Sequence, residues 1–357
     1  MKARQTAPLM KRETAPDEQS TRRIHTAVVG VGAMTETIYL PALYGLPEFE
    51  LDILVDPMAD RSRLEEVSRQ YRCQWTDSLE ALDGRKVDLV IVATPISTHY
   101  EIAYSLVSRG ISVLVEKPLT HSYAEAVKLL AKADECNARV FCGQMRRFYP
   151  NVSLIRELMQ NRLIGELRSV SIFFGGLYGW NRRYFDDDIT RQAAIDEGVL
   201  FDIGSHPIDV ANFVLGDQAD RYVVDRVTVD DVLLQNDMCI EGTIYLATGD
   251  KSSLFIALSN STTLANTIWF AGSNGTLLLP SSENIPPVLY PAGNPKGIKL
   301  VGASQSDGTP FLRQLRTVAD ALVSGRTTIV DGKAVLPTVQ ILDDAFAKAR
   351  KGSCAWL

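Results

Sequence analysis

The sequence predicts an α/β protein: a doubly wound parallel sheet in an N-terminal domain, then an α+β domain built on a large, mainly antiparallel open sheet. Three observations carry that prediction. Strand-like and helix-like segments alternate from residue 24 to 142, the arrangement that builds βαβ units with right-handed crossovers. The strand-like runs in this stretch are apolar and β-branched along most of their length, as buried parallel strands are. After about residue 150 strands follow one another closely through short turns, the texture of antiparallel pairing.

In order, Ile24–Val29 reads as a strand, Met34–Leu43 as a helix, Leu51–Val55 as a strand and Arg61–Tyr71 as a helix. Val87–Ala93 is a strand, His99–Arg109 a helix, Ser112–Val115 a strand, Ser122–Asn137 a helix and Arg139–Cys142 a strand. The second region carries strands at Leu167–Phe174, Tyr222–Val229, Met238–Ala247, Ser253–Leu258, Thr267–Ala271 and Thr276–Leu279. Thr248-Gly249-Asp250 and Ser273-Asn274-Gly275 supply turns, and amphipathic segments at 309–324 and 333–350 close the chain. Residues 1–23 hold mixed charge, two prolines and few large apolar groups, and are expected to be a disordered tail.

The chain has 357 residues, which suits two domains with a core each. Hydrophobic residues make up 46% and charged residues 22%, ordinary for a globular protein. A net charge of −6 with no basic block past the N-terminus argues against a nucleic-acid partner. No apolar run reaches the roughly 18 residues of a membrane span. The five cysteines (73, 136, 142, 239 and 354) form no CxxC pair, which fits reduced thiols in a cytoplasmic protein, and no metal site is expected.

The first strand runs into Gly30-Val31-Gly32-Ala33-Met34-Thr35 and then a helix, the setting of a dinucleotide (Rossmann) fingerprint. Gly30 permits the tight turn, and Gly32 lets a pyrophosphate approach the backbone N–H groups at Ala33 and Met34. Thr35 replaces the third glycine, which implies looser helix–strand packing or a hydroxyl turned toward a phosphate. The second strand ends in Asp56, about 20 residues past the glycine loop, where a carboxylate would hold the ribose hydroxyls of NAD. The same residue also suits the start of a turn before Pro57. NAD is the favoured cofactor, and Arg61 and Arg63 leave a 2′-phosphate, hence NADP, open.

Thr94-Pro95 ends the next strand with small groups beside which a nicotinamide ring could lie, and Ser97 or Thr98 could cap the following helix. His99 suits a structural or cofactor-contacting role. Ser112–Val115 delivers Glu116-Lys117-Pro118 to the carboxyl end of a buried strand, where ligands of open α/β sheets bind. Pro118 ends the strand there. Among the four histidines, His206 is the best general base, with Asp202 four residues earlier on one face if the turn is helical. The alternative makes Ser205 an N-cap, Pro207 a first-turn residue and Asp202 a loop carboxylate; Asp209 suits a helix start or an ion pair. A long connection over 175–192 carries Tyr178 and Trp180, able to stack on a sugar face, and Arg182, Arg183 and Arg191, able to meet a phosphate. That connection could equally be a surface loop packing on an oligomer partner.

Taken together, Gly30-x-Gly32, Val92-Ala93-Thr94-Pro95 with Ser97-Thr98-His99, Glu116-Lys117-Pro118, Gly143-Gln-Met-Arg146-Arg147-Phe-Tyr149-Pro150 and Asp202-x-Gly204-x-His206-x-x-Asp209 resemble one family. It is the glucose–fructose oxidoreductase, inositol dehydrogenase and rhizopine-catabolism group (Gfo/Idh/MocA) of NAD(P)-dependent oxidoreductases, and the resemblance runs from Ile24 to about Gly352. It implies that Lys117, Asp202 and His206 are the catalytic lysine, aspartate and histidine. It implies a cis Lys117–Pro118 bond, with Glu116 and His99 beside the cofactor, Arg146 and Arg147 near cofactor and substrate hydroxyls, and Tyr149 at the substrate. Thr35 and Asp196-Glu197-Gly198 depart from the family's glycines, and the latter leaves the shape of the substrate loop open. The implied substrate is a small carbohydrate-like molecule: a sugar, cyclitol, or nucleotide- or phospho-sugar. Other readings are a small-aldehyde, diol or imine reductase, or a non-catalytic NAD(P)-binding regulator. The expected domains are the tail 1–23, a dinucleotide-binding domain 24–148, and a substrate-binding and oligomerisation domain 149–357 whose last helices could pack back on the first. The open sheet would support a homodimer or homotetramer.

Overall fold

The computed structural model describes residues 22–176, 198–230, 237–260, 262–302 and 308–351. The chain divides into two compact units: Met1–Gly143 with Gly308–Ala334, and Gln144–Asp307 with Val335–Leu357.

In the first unit, the strands among the described residues are β1 (Ile24–Val29), β2 (Phe49–Val55), β3 (Gln74–Thr76), β4 (Leu89–Val92), β5 (Ser112–Val115) and β6 (Val140–Cys142). They form one sheet in the order β3-β2-β1-β4-β5-β6, parallel throughout. Four residues of β4 and three of β5 are wholly inaccessible to solvent, which is why these runs show no alternation in sequence. The helices α1 (Leu40–Gly45), α2 (Arg61–Tyr71), α3 (His99–Val107) and α4 (Tyr123–Glu135) supply the crossovers. Asp60 caps α2 through the Ser62 and Arg63 amides, and Ser122 with Glu125 forms a capping box on α4. The strand order reverses between β1 and β4, so ligands belong at the carboxyl ends of these two strands. β4 is shorter than the expected Val87–Ala93, because Asp88 turns out to hold the His25 amide and Arg22. The three-residue β3 has too little pattern to be expected from sequence.

The second unit holds β7 (Leu167–Gly175), β8 (Ala219–Asp230), β9 (Asp237–Leu246), β10 (Lys251–Ser259), β11 (Thr267–Gly272), β12 (Gly275–Pro280), β13 (Val288–Pro291) and β14 (Ile298–Lys299). Among the described residues they make one eight-stranded sheet in the order β14-β13-β12-β11-β7-β10-β9-β8. Pairing is antiparallel except for β7 with β10, so the sheet is mixed. Ile172, Ile240, Ile244, Ile256, Ile268, Phe270 and Leu277 are buried on the inner face, which the helices cover. These helices are α5 (Pro150–Gln160), α6 (Ser205–Leu215) and the C-terminal Leu336–Lys351. The other face carries half-exposed aromatics, with Phe173 against Phe255 and Trp269 stacked on Tyr290.

Candidate active site

In the first unit the glycine loop forms as its spacing requires. Gly30 has φ +90, and a Cβ there would stand 2.6 Å from Ala93 O, so only glycine fits between the ends of β1 and β4. A Cβ on the exposed Gly32 would meet nothing within 4 Å, leaving room above the loop. Thr35 is buried, and its hydroxyl donates to Gly30 O at 2.5 Å rather than turning toward a phosphate. The helix opens as a π turn over Thr35–Tyr39, wider than an α-helix where a third glycine would let it pack closely.

Asp56 Oδ2 accepts from the Val31 amide at 2.8 Å, and Oδ1 accepts from Met58 and Ala59 at 2.9 and 3.0 Å. The turn reading therefore holds, and the same carboxylate ties that turn to the glycine loop. Of about four acceptor positions on a carboxylate, three are taken on the half-buried Asp56, which leaves one for a ribose hydroxyl. Arg61 pairs with Asp77 at 2.6 Å, and Arg63 pairs with Glu36 and, at 2.8 Å, with Glu66. Both arginines thus hold carboxylates already. A glycine that admits backbone approach, an open loop and a spare acceptor at the switch point together fit a dinucleotide.

Thr94 is half-buried and Pro95 exposed just past β4. Thr98 occupies the N-cap of α3 without capping it; its hydroxyl lies 2.8 Å from both Thr94 Oγ1 and Pro95 O. His99 is 1% exposed, with Nδ1 2.9 Å from Pro118 O and Nε2 2.9 Å from Thr94 O. Both ring nitrogens face backbone carbonyls inside the fold, the structural one of its two readings. Burial, and secondarily the Lys117 charge, hold its pKa below the usual histidine value, while the two carbonyls pull it up.

At the end of β5 the Lys117–Pro118 bond is cis and Lys117 is half-buried. Glu116 is buried, accepting from Tyr39 Oη at 2.5 Å and from the Lys117 amide at 2.9 Å. Burial pushes this carboxyl and the Tyr39 phenol above their ordinary pKa values, against the Tyr39 and Lys117 interactions that favour the carboxylate. The Glu116 side chain is therefore packed in the core against Tyr39. A Cβ on Gly143 would press within 3.2 Å of it, which explains that glycine.

In the second unit the chain is helical from Gly198 through Leu215, with a π turn at Leu200–Gly204 running directly into α6. Asp202 on the π turn is exposed and His206 on the following turn is half-buried. Ser205 is inside this helix rather than capping it, so the reading that the turn is already helical at Asp202 holds. π turns are rare and recur at functional sites. Arg147 is 2% exposed and grips Asp209 with two bonds, Nε to Oδ2 at 2.8 Å and Nη2 to Oδ1 at 2.6 Å. Thr338 joins the pair by donating to Asp209 at 3.1 Å. Arg147 thus lies in the core against Asp209, and Asp209 is the ion-pair residue of its reading from sequence. Arg146 and Tyr149, by contrast, are half-buried and line a crevice with Phe174, Pro207, Val210 and Ile268. The Arg146 guanidinium lies 5.7 Å over the Phe174 ring. Tyr178, Trp180, Arg182, Arg183 and Arg191 lie outside the described residues, as does the tail through residue 21.

Sequence reasoning missed Tyr39 as the partner of Glu116 and the bridging role of His99. Tyr39 and Glu116 are 77 residues apart, and His99 reaches Pro118 across 19 residues and Thr94 across five, with no local pattern to mark the pairings.

Residues 24–144 match the model of an oxidoreductase family with an NAD-binding Rossmann fold, and residues 152–278 match the GFO/IDH/MocA C-terminal domain. The chain belongs to the GFO/IDH/MocA oxidoreductase family, and a nicotinamide dinucleotide is the cofactor its first domain takes. A protein described as a UDP-kanosamine synthase oxidoreductase subunit, from Amycolatopsis mediterranei, is 32% identical over 58% of this chain and 56% of its own length. A scyllo-inositol 2-dehydrogenase (NAD+) from Bacillus subtilis is 26% identical over 54% of each chain. The chain spans a little over half the length of these curated relatives. An aldose-aldose oxidoreductase from Caulobacter crescentus shares the fold, with a TM-score of 0.74 at 20% identity over 93% of this chain and 98% of the other. Among the described residues no helix is long and apolar enough to cross a membrane.

Proposed function

We propose that the protein transfers hydride between NAD and a secondary alcohol or ketone of a sugar, cyclitol or sugar derivative. The observation that carries the reading is Lys117: a buried strand ends in this half-buried lysine at the carboxyl edge of the sheet, next to the strand that ends in Thr94-Pro95. Bound nicotinamide supplies the hydride acceptor or donor. A ring nitrogen of His206 takes the proton of the substrate alcohol, or returns it in reduction, and Asp202 holds the imidazole or a neighbouring hydroxyl. The ammonium of Lys117 stabilises charge developing on the substrate oxygen. Arg146 and Tyr149 line the crevice that would take part of the substrate. NAD is favoured over NADP because Arg61 and Arg63 are already paired and Asp56 would repel a 2′-phosphate. The relatives named for a UDP-sugar synthase and an inositol dehydrogenase support the substrate class. The half-exposed aromatic face of the second sheet supports self-association into a homodimer or homotetramer. The five cysteines form no CxxC pair in the sequence, which suits a cytoplasmic setting.

The test follows NADH absorbance with a panel of sugars, cyclitols, nucleotide sugars, small aldehydes and imines. Lys117→Ala should keep the thermal midpoint and NADH affinity while turnover drops about 10²–10³-fold, the usual loss on removing an electrostatic stabiliser. Near-wild-type turnover in that variant would overturn the assignment. NADH binding with no turnover on any substrate would favour a regulatory dinucleotide-binding protein instead.

A further inference from the structure

We propose that His99 is a positioning residue that locks together the ends of β4 and β5 and so fixes the setting of Thr94 and Lys117; this rests on the hydride-transfer reading above. The ladder between the two strands closes where the Glu116 amide donates to Val92 O at 2.9 Å. Thr94 and Pro118 each lie two residues beyond that bond. At that level the Ala93 amide faces the other neighbour, as alternate residues of a parallel strand do, and donates to Val29 O. The segments that would border the nicotinamide are therefore past the reach of the sheet's own hydrogen bonds.

The imidazole of His99 spans this gap, with one nitrogen 2.9 Å from Pro118 O and the other 2.9 Å from Thr94 O. A protonated ring donates to both carbonyls and in that state bridges the two strand ends; a neutral ring donates to one of them and is held at the other only by the packing around it. At 1% exposure it also keeps water from competing for those carbonyls. The anchor itself is rigid, because His99 is the first residue of α3, whose Ala103, Leu106 and Val107 are wholly buried. Lys117 precedes Pro118 directly, so fixing the Pro118 carbonyl fixes the backbone from which the ammonium projects. The imidazole has no need to touch cofactor or substrate to do this.

The experiment compares wild type with His99→Phe, which keeps a flat ring and removes both nitrogens, and His99→Gln, which restores a donor. Hydrogen–deuterium exchange without cofactor should show segments 93–98 and 116–120 opening roughly tenfold more often in His99→Phe, with partial recovery in His99→Gln and the rest of the sheet unchanged. Turnover should fall about 10–100-fold in His99→Phe, as for a misplaced reacting group, with KM little changed and partial rescue by glutamine. Unchanged exchange at the two segments overturns the proposal. So does accelerated exchange with turnover unaffected, or a loss spread evenly over the sheet in both variants. Should His99→Phe fail to fold, His99→Gln against wild type carries the same two readouts. Wild-type protein that binds NADH but turns over no substrate sinks the hydride-transfer reading; the locking of the strand ends is then judged by exchange alone.

Discussion

At the residue scale the decisive distinction is between charges that face outward and charges that are locked inside. Lys117, Asp202 and Arg146 retain solvent access, whereas Arg147 and Asp209 are 2% and 1% exposed and satisfy each other with two bonds. A buried pair of this kind is costly to break, because the survivor is left charged and desolvated. Asp209→Ala should therefore destabilise the protein by about 3–5 kcal/mol, read as a fall in the urea midpoint. Replacing both partners, Arg147→Met with Asp209→Leu, should recover most of that loss, since two apolar groups leave no orphaned charge. If the double variant is as unstable as the single one, the cost of Asp209→Ala does not come from stranding the Arg147 charge, and the two side chains are held by more than their mutual bonds. The adjacent arginines 146 and 147 read alike in sequence, and only the register of a short 3-10 turn over Met145–Phe148 sends one inward and the other to the crevice.

At the element scale, the strand ends of the first unit were legible because their signals are local. Gly30-x-Gly32 marks a turn, Asp56 ends β2, and apolar runs stop at Thr94 and Lys117. What stayed hidden are tertiary partners: Tyr39 for Glu116, Asp209 for Arg147, and the two carbonyls on His99. The helix α5 was overlooked although Val152, Ile155 and Met159 repeat on one face, and β3 and β14 are too short to carry a period. The buried meeting of the first helix and β5 at Glu116 has a pH signature. Burial holds this carboxyl above its ordinary value, so the folded chain binds the proton more tightly than the unfolded chain. Its contribution is fully present below the unfolded carboxyl range, near pH 4.3, and is lost as pH rises through the folded value. Glu116→Gln can keep both contacts, its carbonyl accepting from the Lys117 amide and its NH2 donating to Tyr39 Oη. The stability difference, variant minus wild type, should therefore grow in the variant's favour as pH is raised from about 4 to 8. Parallel urea midpoints across that range would show that Glu116 does not titrate differently on folding.

At the scale of the whole molecule, the order of the chain and the order of the fold differ. The first unit is left at Gly143 and re-entered at Gly308, and the returning segment supplies the helix Pro310–Ser324. Its Leu312, Leu315, Val318 and Val330 are at most 5% exposed. Burying four such side chains is worth about 6–12 kcal/mol, comparable with the 5–15 kcal/mol by which a typical domain is stable. Polar contacts fix where the segment lies. Arg139 donates to Ala321 O at 2.6 Å and to Arg326 O at 2.9 Å, and pairs with Asp331 at 2.7 Å. The Cys142 amide donates to Val330 O at 2.9 Å, so the edge strand β6 depends on residues nearly two hundred positions away. A fragment ending at Gly143 would expose this apolar surface and leave β6 without that partner. Such a fragment should show weak, non-cooperative thermal unfolding by circular dichroism and little NADH binding. The same fragment joined through a flexible linker to residues 308–334 should unfold cooperatively and bind NADH. Cooperative unfolding and full NADH affinity in the short fragment alone would mean that the dinucleotide fold is complete by Gly143 and that the returning helix serves something other than its stability.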